Sequence, residues 1–526
     1  LIKELLVDTF DINPKYALDL FEWEASEVPA QDLTQWTSQL KIDHVEVLYV
    51  FGLGDGGLYS ELSSWLHGNL ERRLVILESN TGHIASAIKN SLPLLSDSQV
   101  SLEWLNQETL LLQELAEKFP TDAIEVICLP GKDTSVFRKI RLSILRKTSL
   151  THSLFIDRRY GDHLFRNFVK NVPQLEGGFY ANGLQNAFSE MPAIICGAGP
   201  SLQSVIETLK TLKGRAIIIA GGSAIAALSS VGIEPHFAMA IDPNEEEFKR
   251  MQNSFAFECP FLFSTRVHPS VFQTCNGPFG YLRSGVGGMP ELWLEEELGL
   301  TGPLLGENLS DESISVTSIA LAFAQHIGCK TILLSGMDLA YTGGRRYAPG
   351  IGTPSTEKTS VSDRLLRRKD KNGQFVKTAV RWVMEAASLS HYAKKHPEIR
   401  WINTTGGGLP IPSFEQMDLD VATSTLLTQK WDIAAKVVEQ INLNPIPKSL
   451  SLNPLFESLR RVIAHLEVLA GERPGPKSLA EMDMREEVAF SILLYDAEKV
   501  ASQALSRKSI KNNWSLVLEL ARNHVN

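Results

Sequence analysis

The sequence predicts an α/β protein with two doubly wound parallel sheets followed by a helical region. Three observations predict it. Short apolar runs alternate with helix-length amphipathic segments from residue 45 to about residue 403. Most of those runs are continuously apolar, which is how strands covered on both faces read. From about residue 431 no convincing strand remains, and apolar residues recur at helical spacing. At 526 residues the chain is too long for one core. The expected divisions are 1–150, a Rossmann-like accessory domain; 151–430, a larger doubly wound domain; and 431–526, a helical domain.

In the first block the strands are VEVLYVFG (45–52), RLVILES (73–79) and AIEVICLP (123–130), with LYSELSSWLHGNL as an intervening helix. Gly52, Gly54 and Gly56 form G-x-G-x-G after the first strand, and Glu78 ends the next, 22 residues on (78 − 56). That spacing resembles a dinucleotide or S-adenosylmethionine fingerprint, in which the acid bonds ribose hydroxyls. The reading preferred here is a degenerate accessory domain.

The second block carries strands at PAIICG (192–197), RAIIIAG (215–221), HFAMAID (236–242), PFLFST (260–265), GYLRS (280–284), KTILLSG (330–336) and IRWIN (399–403). SLQSVIETLKTL follows the first of these as a helix, and SVTSIALAFAQHIG precedes KTILLSG. The turn between the first strand and its helix reads GAGPSL. Glycines there let backbone N–H groups and a helix N-terminus converge, which suits an anion such as phosphate. Pro200 presets φ for the helix start, and Ser201 caps it or bonds a phosphate oxygen. There is no P-loop lysine, and Gln203 replaces the last glycine of G-x-G-x-x-G. A plain helix-capping turn is the competing reading. Gly221, Gly222 and Ser223 end the second strand, and Asp242 ends the third. Open α/β sheets bind ligands beyond these carboxyl ends. Asp242 there bonds a ribose hydroxyl, holds Mg²⁺, or simply caps a helix.

GMDLAYTGGRRYA (336–348) places Asp338 after a buried strand, as a base or ligand for transfer to a hydroxyl, or as a cap. Tyr341 and Tyr347 are candidate donors to a departing phosphate, and Arg345 and Arg346 are candidate neutralisers. His326 and His236 read as packed residues rather than catalytic ones. Residues 345–378 form a long polar stretch, read as a basic lid over an anionic donor or as a plain loop. Within it RLLRRKDK suits an anionic or acidic partner. The acidic run Glu245–Glu247 reads as solvated helix. No zinc spacing and no G-x-S-x-G elbow occurs, so no metal site is expected and Mg²⁺ would arrive with a nucleotide.

Net charge is −10 with a sequence pI near 5.7, a balance that weighs against non-specific nucleic-acid binding. Five widely spaced cysteines without C-x-x-C fit a reduced, cytoplasmic compartment. No apolar run is long enough to span a membrane. The opening LIKELLVDTF carries acidic residues and no cleavage pattern, so no secretory signal is expected there.

PAIICGAGPSL, GGSAIAALSSVGIEP, AIDP and SVTSIALAFAQHIGCKTILLSGMDLAYTGGRRYA, in that order, resemble the motility accessory factor family. Its members are flagellin glycosyltransferases carrying the domain also named 6-hydroxymethylpterin diphosphokinase MptE-like. DKNGQFVKTAVRWVMEAASLS and WINTTGGGLPIPS match further family segments, so the resemblance covers about 190–415, and FGLGDGGLYSEL…VILES resembles the N-terminal domain. The resemblance implies a central domain similar to bacterial sialyltransferases that use CMP-activated nonulosonic sugars. It implies a protein acceptor of the flagellin kind, modified on Ser or Thr. It places Gly197, Gly199, Pro200, Ser201 and Leu202 on the nucleotide, Gly222 and Ser223 close by, and Gly336, Asp338 and Tyr341 on the opposing strand end. Three positions depart from the family pattern. Pro235-His236 stands for Pro-Asp, Tyr347-Ala348 for His-Ala, and Gly406 for the Glu of Asn-Ala-Thr-Glu-Gly-Gly. Two other readings stay open: a pterin pyrophosphokinase-like enzyme using ATP and Mg²⁺, and a non-enzymatic binding or chaperone protein.

Overall fold

The computed structural model describes residues 32–526 except 91–93, 95, 107, 160, 253, 255–257, 307–314, 352–364, 496–497, 499–512 and 526. The reading of LIKELLVDTF therefore lies outside the described residues. The chain divides into two compact units, Leu1–Ile156 and Asp157–Asn526.

The first unit holds a parallel sheet of β1 (Val47–Phe51), β2 (Arg73–Glu78), β3 (Val100–Trp104) and β4 (Ile124–Cys128), in the order β3-β2-β1-β4. All five residues of β1 are buried, as its unbroken apolar run requires when helices cover both faces. β3 (VSLEW) is a strand the sequence reading passed over. Its polar residues hide the apolar pattern, yet both are buried and bonded to each other: the Ser101 hydroxyl donates to Glu103 Oε1 at 2.7 Å.

The second unit is built on a nine-stranded parallel sheet. Its strands are β5 (Phe179–Tyr180), β6 (Ala193–Cys196), β7 (Ile217–Gly221), β8 (Phe237–Ala240), β9 (Phe261–Phe263), β10 (Phe279–Tyr281), β11 (Thr331–Ser335), β14 (Arg400–Asn403) and β15 (Glu415–Gln416). They run in the order β15-β14-β11-β6-β7-β8-β9-β10-β5. The seven strands expected from sequence are all present. The two others have two residues each, too short for any pattern to show.

Side chains alternate across this sheet. Ile194, Cys196, Ile218, Ala220, Phe261 and Phe263 share one hydrophobic cluster with Leu455, Leu459 and Val462 of the helix Asn453–Ala470. Ala193, Ile195, Ile217, Ile219 and Phe237 face the other way, against Ile319, Ala320 and Phe323 of the helix Val316–His326. The described part of the C-terminal region is helical, with no strand after β15.

The polar stretch 345–378 departs from a plain loop. β12 (Leu365–Lys369) and β13 (Phe375–Ala379) pair antiparallel as a hairpin. Its turn is Asp370-Lys371-Asn372-Gly373, with Gly373 at φ +80° and Asp370 Oδ1 accepting from Asn372 N at 2.9 Å. The D-K-N-G turn between two short runs was the legible signal. Basic residues on both strands masked it.

Among the described residues no helix is long and apolar enough to cross a membrane. All five cysteines are free, four of them buried.

Candidate active site

From β6 the strand order runs through β7 to β10 on one side and through β11, β14 and β15 on the other. The gap between β6 and β11 is therefore the topological switch point of this sheet, where open α/β folds make a crevice. GAGPS leaves β6 there, and Gly336-Met337-Asp338 leaves β11 there.

The two strand ends are bonded to each other. Gly197 N donates to Ser335 O at 2.7 Å, and Gly199 N donates to Gly336 O at 2.8 Å. Glycine is required by closeness. A Cβ at Gly199 would overlap the Asp338 carboxylate and stand 2.7 Å from Gly336 O. Pro200–Val205 forms a short 3₁₀ turn rather than the start of a regular helix. The Asp338 carboxylate sits at its N-terminus. Oδ2 accepts from the Ser201 hydroxyl at 2.6 Å and from Ser201 N at 3.2 Å. The backbone donors of Gly197, Gly199, Ser201 and Leu202 are thus all engaged within the protein. An anionic side chain of the chain itself occupies the place expected for a phosphate oxygen.

Asp338 is 1% exposed, and its other oxygen, Oδ1, has no hydrogen-bond partner. Burial pushes its carboxyl above the ordinary aspartate value, and the neighbouring Ser201 and Thr342 hydroxyls only partly oppose this. The backbone around it is held hard. Leu339 is a buried non-glycine residue at φ +49°, a conformation that costs energy and persists only where neighbours enforce it. Thr378 Oγ1 donates to Leu339 O at 2.7 Å, and Leu409 N donates to Asp338 O at 2.8 Å.

TTGGG (404–408) closes the site from β14. Gly406, where the family pattern has Glu, has a Cβ position 3.5 Å from Ser201 Cβ. The vacancy left by that acid therefore lies against the Ser201–Asp338 pair. Tyr341 is buried with its ring 5.1 Å from Trp382. Tyr347 is half-buried under the Arg346 guanidinium, 5.0 Å away, and its neighbour Ala348 donates to Ala198 O at 2.8 Å, bringing this loop onto the GAGPS turn. Arg345 is exposed.

Gly222, Ser223 and Asp242 lie at the ends of β7 and β8, one strand and more away from the switch point. Gly222 N donates to Met239 O at 2.8 Å, and Ser223 opens the short helix Ser223–Ser229. Asp242 turns outward toward Arg250, 3.4 Å away. The inward acid is Glu247, which sequence reading took as solvated. It is 2% exposed, accepts from Asp242 N at 3.0 Å and stands 2.8 Å from a Cβ position at Gly222. Burial, reinforced by Asp242, pushes its carboxyl well above the usual range. The acidic run hid it, because only the third residue of the run faces inward on the helix.

The two histidines are structural. His236 Nδ1 accepts from Ile218 N at 2.9 Å, and burial holds its pKa down to about 4. His326 Nε2 donates to Asn182 O at 2.6 Å. Among the described residues no group of three or more His, Cys, Asp and Glu could hold a metal ion.

Residues 166–344, which contain β6 through β11, the GAGPS turn and Asp338, match the family model described as 6-hydroxymethylpterin diphosphokinase MptE-like. The chain carries an MptE-like domain. The MptE-like part of the resemblance read from sequence is thus borne out over those residues. The MptE-like domain supplies both sides of the switch point, while TTGGG comes from beyond it. The solved structure of MAf glycosyltransferase from Magnetospirillum magneticum AMB-1 is similar at a TM-score of 0.46 and 15% identity, covering 100% of this chain and 86% of that one. No curated protein matches the sequence.

In the first unit Glu78 ends β2, the strand between β3 and β1. Its carboxylate accepts from Leu53 N at 3.1 Å, from Ser79 N and Asn80 N at 2.9 Å each, and from Lys132 Nζ at 2.9 Å. The acid singled out as a ribose ligand is already saturated, and Lys132 lies against Gly52.

Proposed function

We propose that the MptE-like domain is the catalytic part of a glycosyltransferase. The donor is a CMP-activated nonulosonic sugar, and the acceptor is a Ser or Thr hydroxyl of a protein such as flagellin. The observation that carries this reading is Asp338, a buried carboxylate with a raised pKa and one unpartnered oxygen, fixed at the switch point against the GAGPS turn. A carboxylate so placed suits a general base. Oδ1 takes the proton of the acceptor hydroxyl, that oxygen bonds to the anomeric carbon, and the bond from carbon to the phosphate oxygen breaks, with its electron pair leaving on CMP. Ser201, held on Oδ2, orients the carboxylate. Arg345, Arg346 and Tyr347 are the groups nearest in the chain to stabilise the departing phosphate, with Tyr341 packed behind them. Gly197, Gly199, Pro200, Leu202 and Gly336 shape the crevice, and Gly222, Ser223 and Asp242 extend its rim toward the nucleoside.

A second reading, an ATP- and Mg²⁺-dependent pterin diphosphokinase, is favoured by the Asp242–Glu247 pair beside Gly222, two carboxylates at one strand end. The engaged N–H groups of the turn and the absence of an acid at Gly406 favour a third, a non-enzymatic binding protein.

A thermal-shift panel of CMP, CDP, UDP, GDP, ATP–Mg²⁺ and S-adenosylmethionine separates them. A ligand at a hundred times its dissociation constant stabilises by about 2.7 kcal/mol. A shift with CMP that is lost in Gly199→Val supports the transferase. A shift with ATP–Mg²⁺ instead supports the kinase. No shift with any nucleotide on folded protein sinks both.

A further inference from the structure

The geometry points to the hairpin β12–β13 as a docking face for an acidic segment of a polypeptide. It carries Arg367, Arg368, Lys369, Lys371 and Lys377 within a chain of net charge −10. None of the five makes a salt bridge with a described carboxylate. The hairpin's own acid, Asp370, is spent on its turn, accepting from Asn372 N at 2.9 Å and from Gln374 N at 2.8 Å.

The register is the telling feature. Arg367 stands directly opposite Lys377, and Lys369 opposite Phe375, so one face presents three cations and an aromatic ring. Like charges directly opposite each other on paired strands oppose the pairing. No described carboxylate pairs with them, whereas an anionic partner would. Phe375 is 58% exposed with the Arg367 guanidinium 4.0 Å above its ring, the combination of aromatic and arginine that anchors protein interfaces. β12 has no second strand partner among the described residues, so its outer edge is open to an extended chain. An edge strand that reads side-chain charge suits a polypeptide better than a duplex or a lipid surface.

The hairpin is also tied to the candidate site. Tyr341 N donates to Lys377 O at 2.9 Å, Thr378 bonds Leu339 O, and Lys371 N donates to Gly408 O at 3.0 Å. A segment held on this face lies at the rim of the loop that carries Asp338. The inference names the acceptor's docking face and rests on the transferase reading for the word acceptor; the docking itself is tested without any donor.

The test uses the full chain and a fluorescein-labelled peptide in which Asp and Glu alternate with Ser, followed by anisotropy at low and high salt. A lysine-for-acid peptide and a single-stranded oligonucleotide serve as comparison probes. The acidic peptide binds at low salt and weakens at high salt. In Lys377→Glu the new residue faces Arg367 as an opposite charge, so melting temperature holds or rises while peptide affinity falls roughly tenfold. A purely structural hairpin would not separate those two readouts. Equal peptide binding by Lys377→Glu overturns the inference, as does no binding at low salt. Tighter binding of the oligonucleotide reassigns the face to nucleic acid. Dimerisation of the chain that Lys377→Glu abolishes reassigns it to a second copy. Peptide binding without any CMP shift removes the donor reading and leaves the docking face standing. A CMP shift without peptide binding does the reverse.

Discussion

The Ser201 hydroxyl donates to Asp338 Oδ2 at 2.6 Å across 137 residues of chain, joining the end of β6 to the end of β11. This bond couples stability to chemistry, since the same carboxylate is the proposed base. Ser201→Ala removes one donor from a buried acceptor and is expected to cost about 1–3 kcal/mol, read by denaturant unfolding. Asp338→Asn keeps the shape and loses the base. Transfer is expected to fall by roughly 10²–10⁴-fold while the nucleotide shift persists.

The pH dependence of Asp338 has a definite sign. Its folded pKa is raised above the unfolded value, so ionising it costs stability. Stability is expected to decline as pH rises from the ordinary aspartate value through the raised one. Asp338→Asn should flatten that part of a profile of unfolding free energy against pH. An unchanged slope would mean the carboxyl titrates normally.

Glycines 199 and 406 both border Ser201 and should respond oppositely. Gly199→Ala forces a methyl into Asp338 and Gly336 O, and a loss of roughly 1–3 kcal/mol is expected. Gly406→Ala meets nothing closer than Ser204 Oγ at 3.4 Å and should melt close to the parent chain. Gly406→Glu restores an acid beside Ser201 and, on the transferase reading, should raise turnover rather than lower it.

His236 is buried as neutral imidazole with its pKa held down to about 4. The unfolded chain therefore binds more protons than the folded one between pH 4 and 6.5. Up to about 3 kcal/mol of stability is expected to be lost as pH falls through that window. His236→Gln should remove the slope there and lose some stability at neutral pH.

Lys132→Met leaves Glu78 buried without its cation and is expected to destabilise the first unit by roughly 3 kcal/mol. Burial opposes the Glu78 charge, but three backbone N–H groups and Lys132 outweigh it and hold the carboxyl below the usual glutamate value. Its contribution is present above the unfolded pKa and fades as pH falls through the folded one. Hydrogen exchange across β1 and β2 would report it.

The sheets were legible because buried parallel strands are written as unbroken apolar runs, and β6, β7 and β11 are such runs. Ser101 and Glu103 broke that code in β3, two polar residues buried and bonded to each other. The turn at 197–201 was legible as a place where glycine is needed. Its reason was not, because the close neighbour is Asp338, 137 residues away. Glu247 was illegible for a related cause: its run of three acids reads as solvent-facing, and only the helix's rotation buries the last.

The placement of β6 beside β11 has a kinetic consequence. The two strands are 135 residues apart in sequence (331 − 196), with four strands between them. Pairing so distant in sequence is slow to form, since loop closure precedes any reward. During synthesis the GAGPS turn emerges long before the strand that completes it, and TTGGG emerges later still. Until then the exposed edge of β6 is a hazard for aggregation, and active protein should accumulate with a lag behind full-length chain.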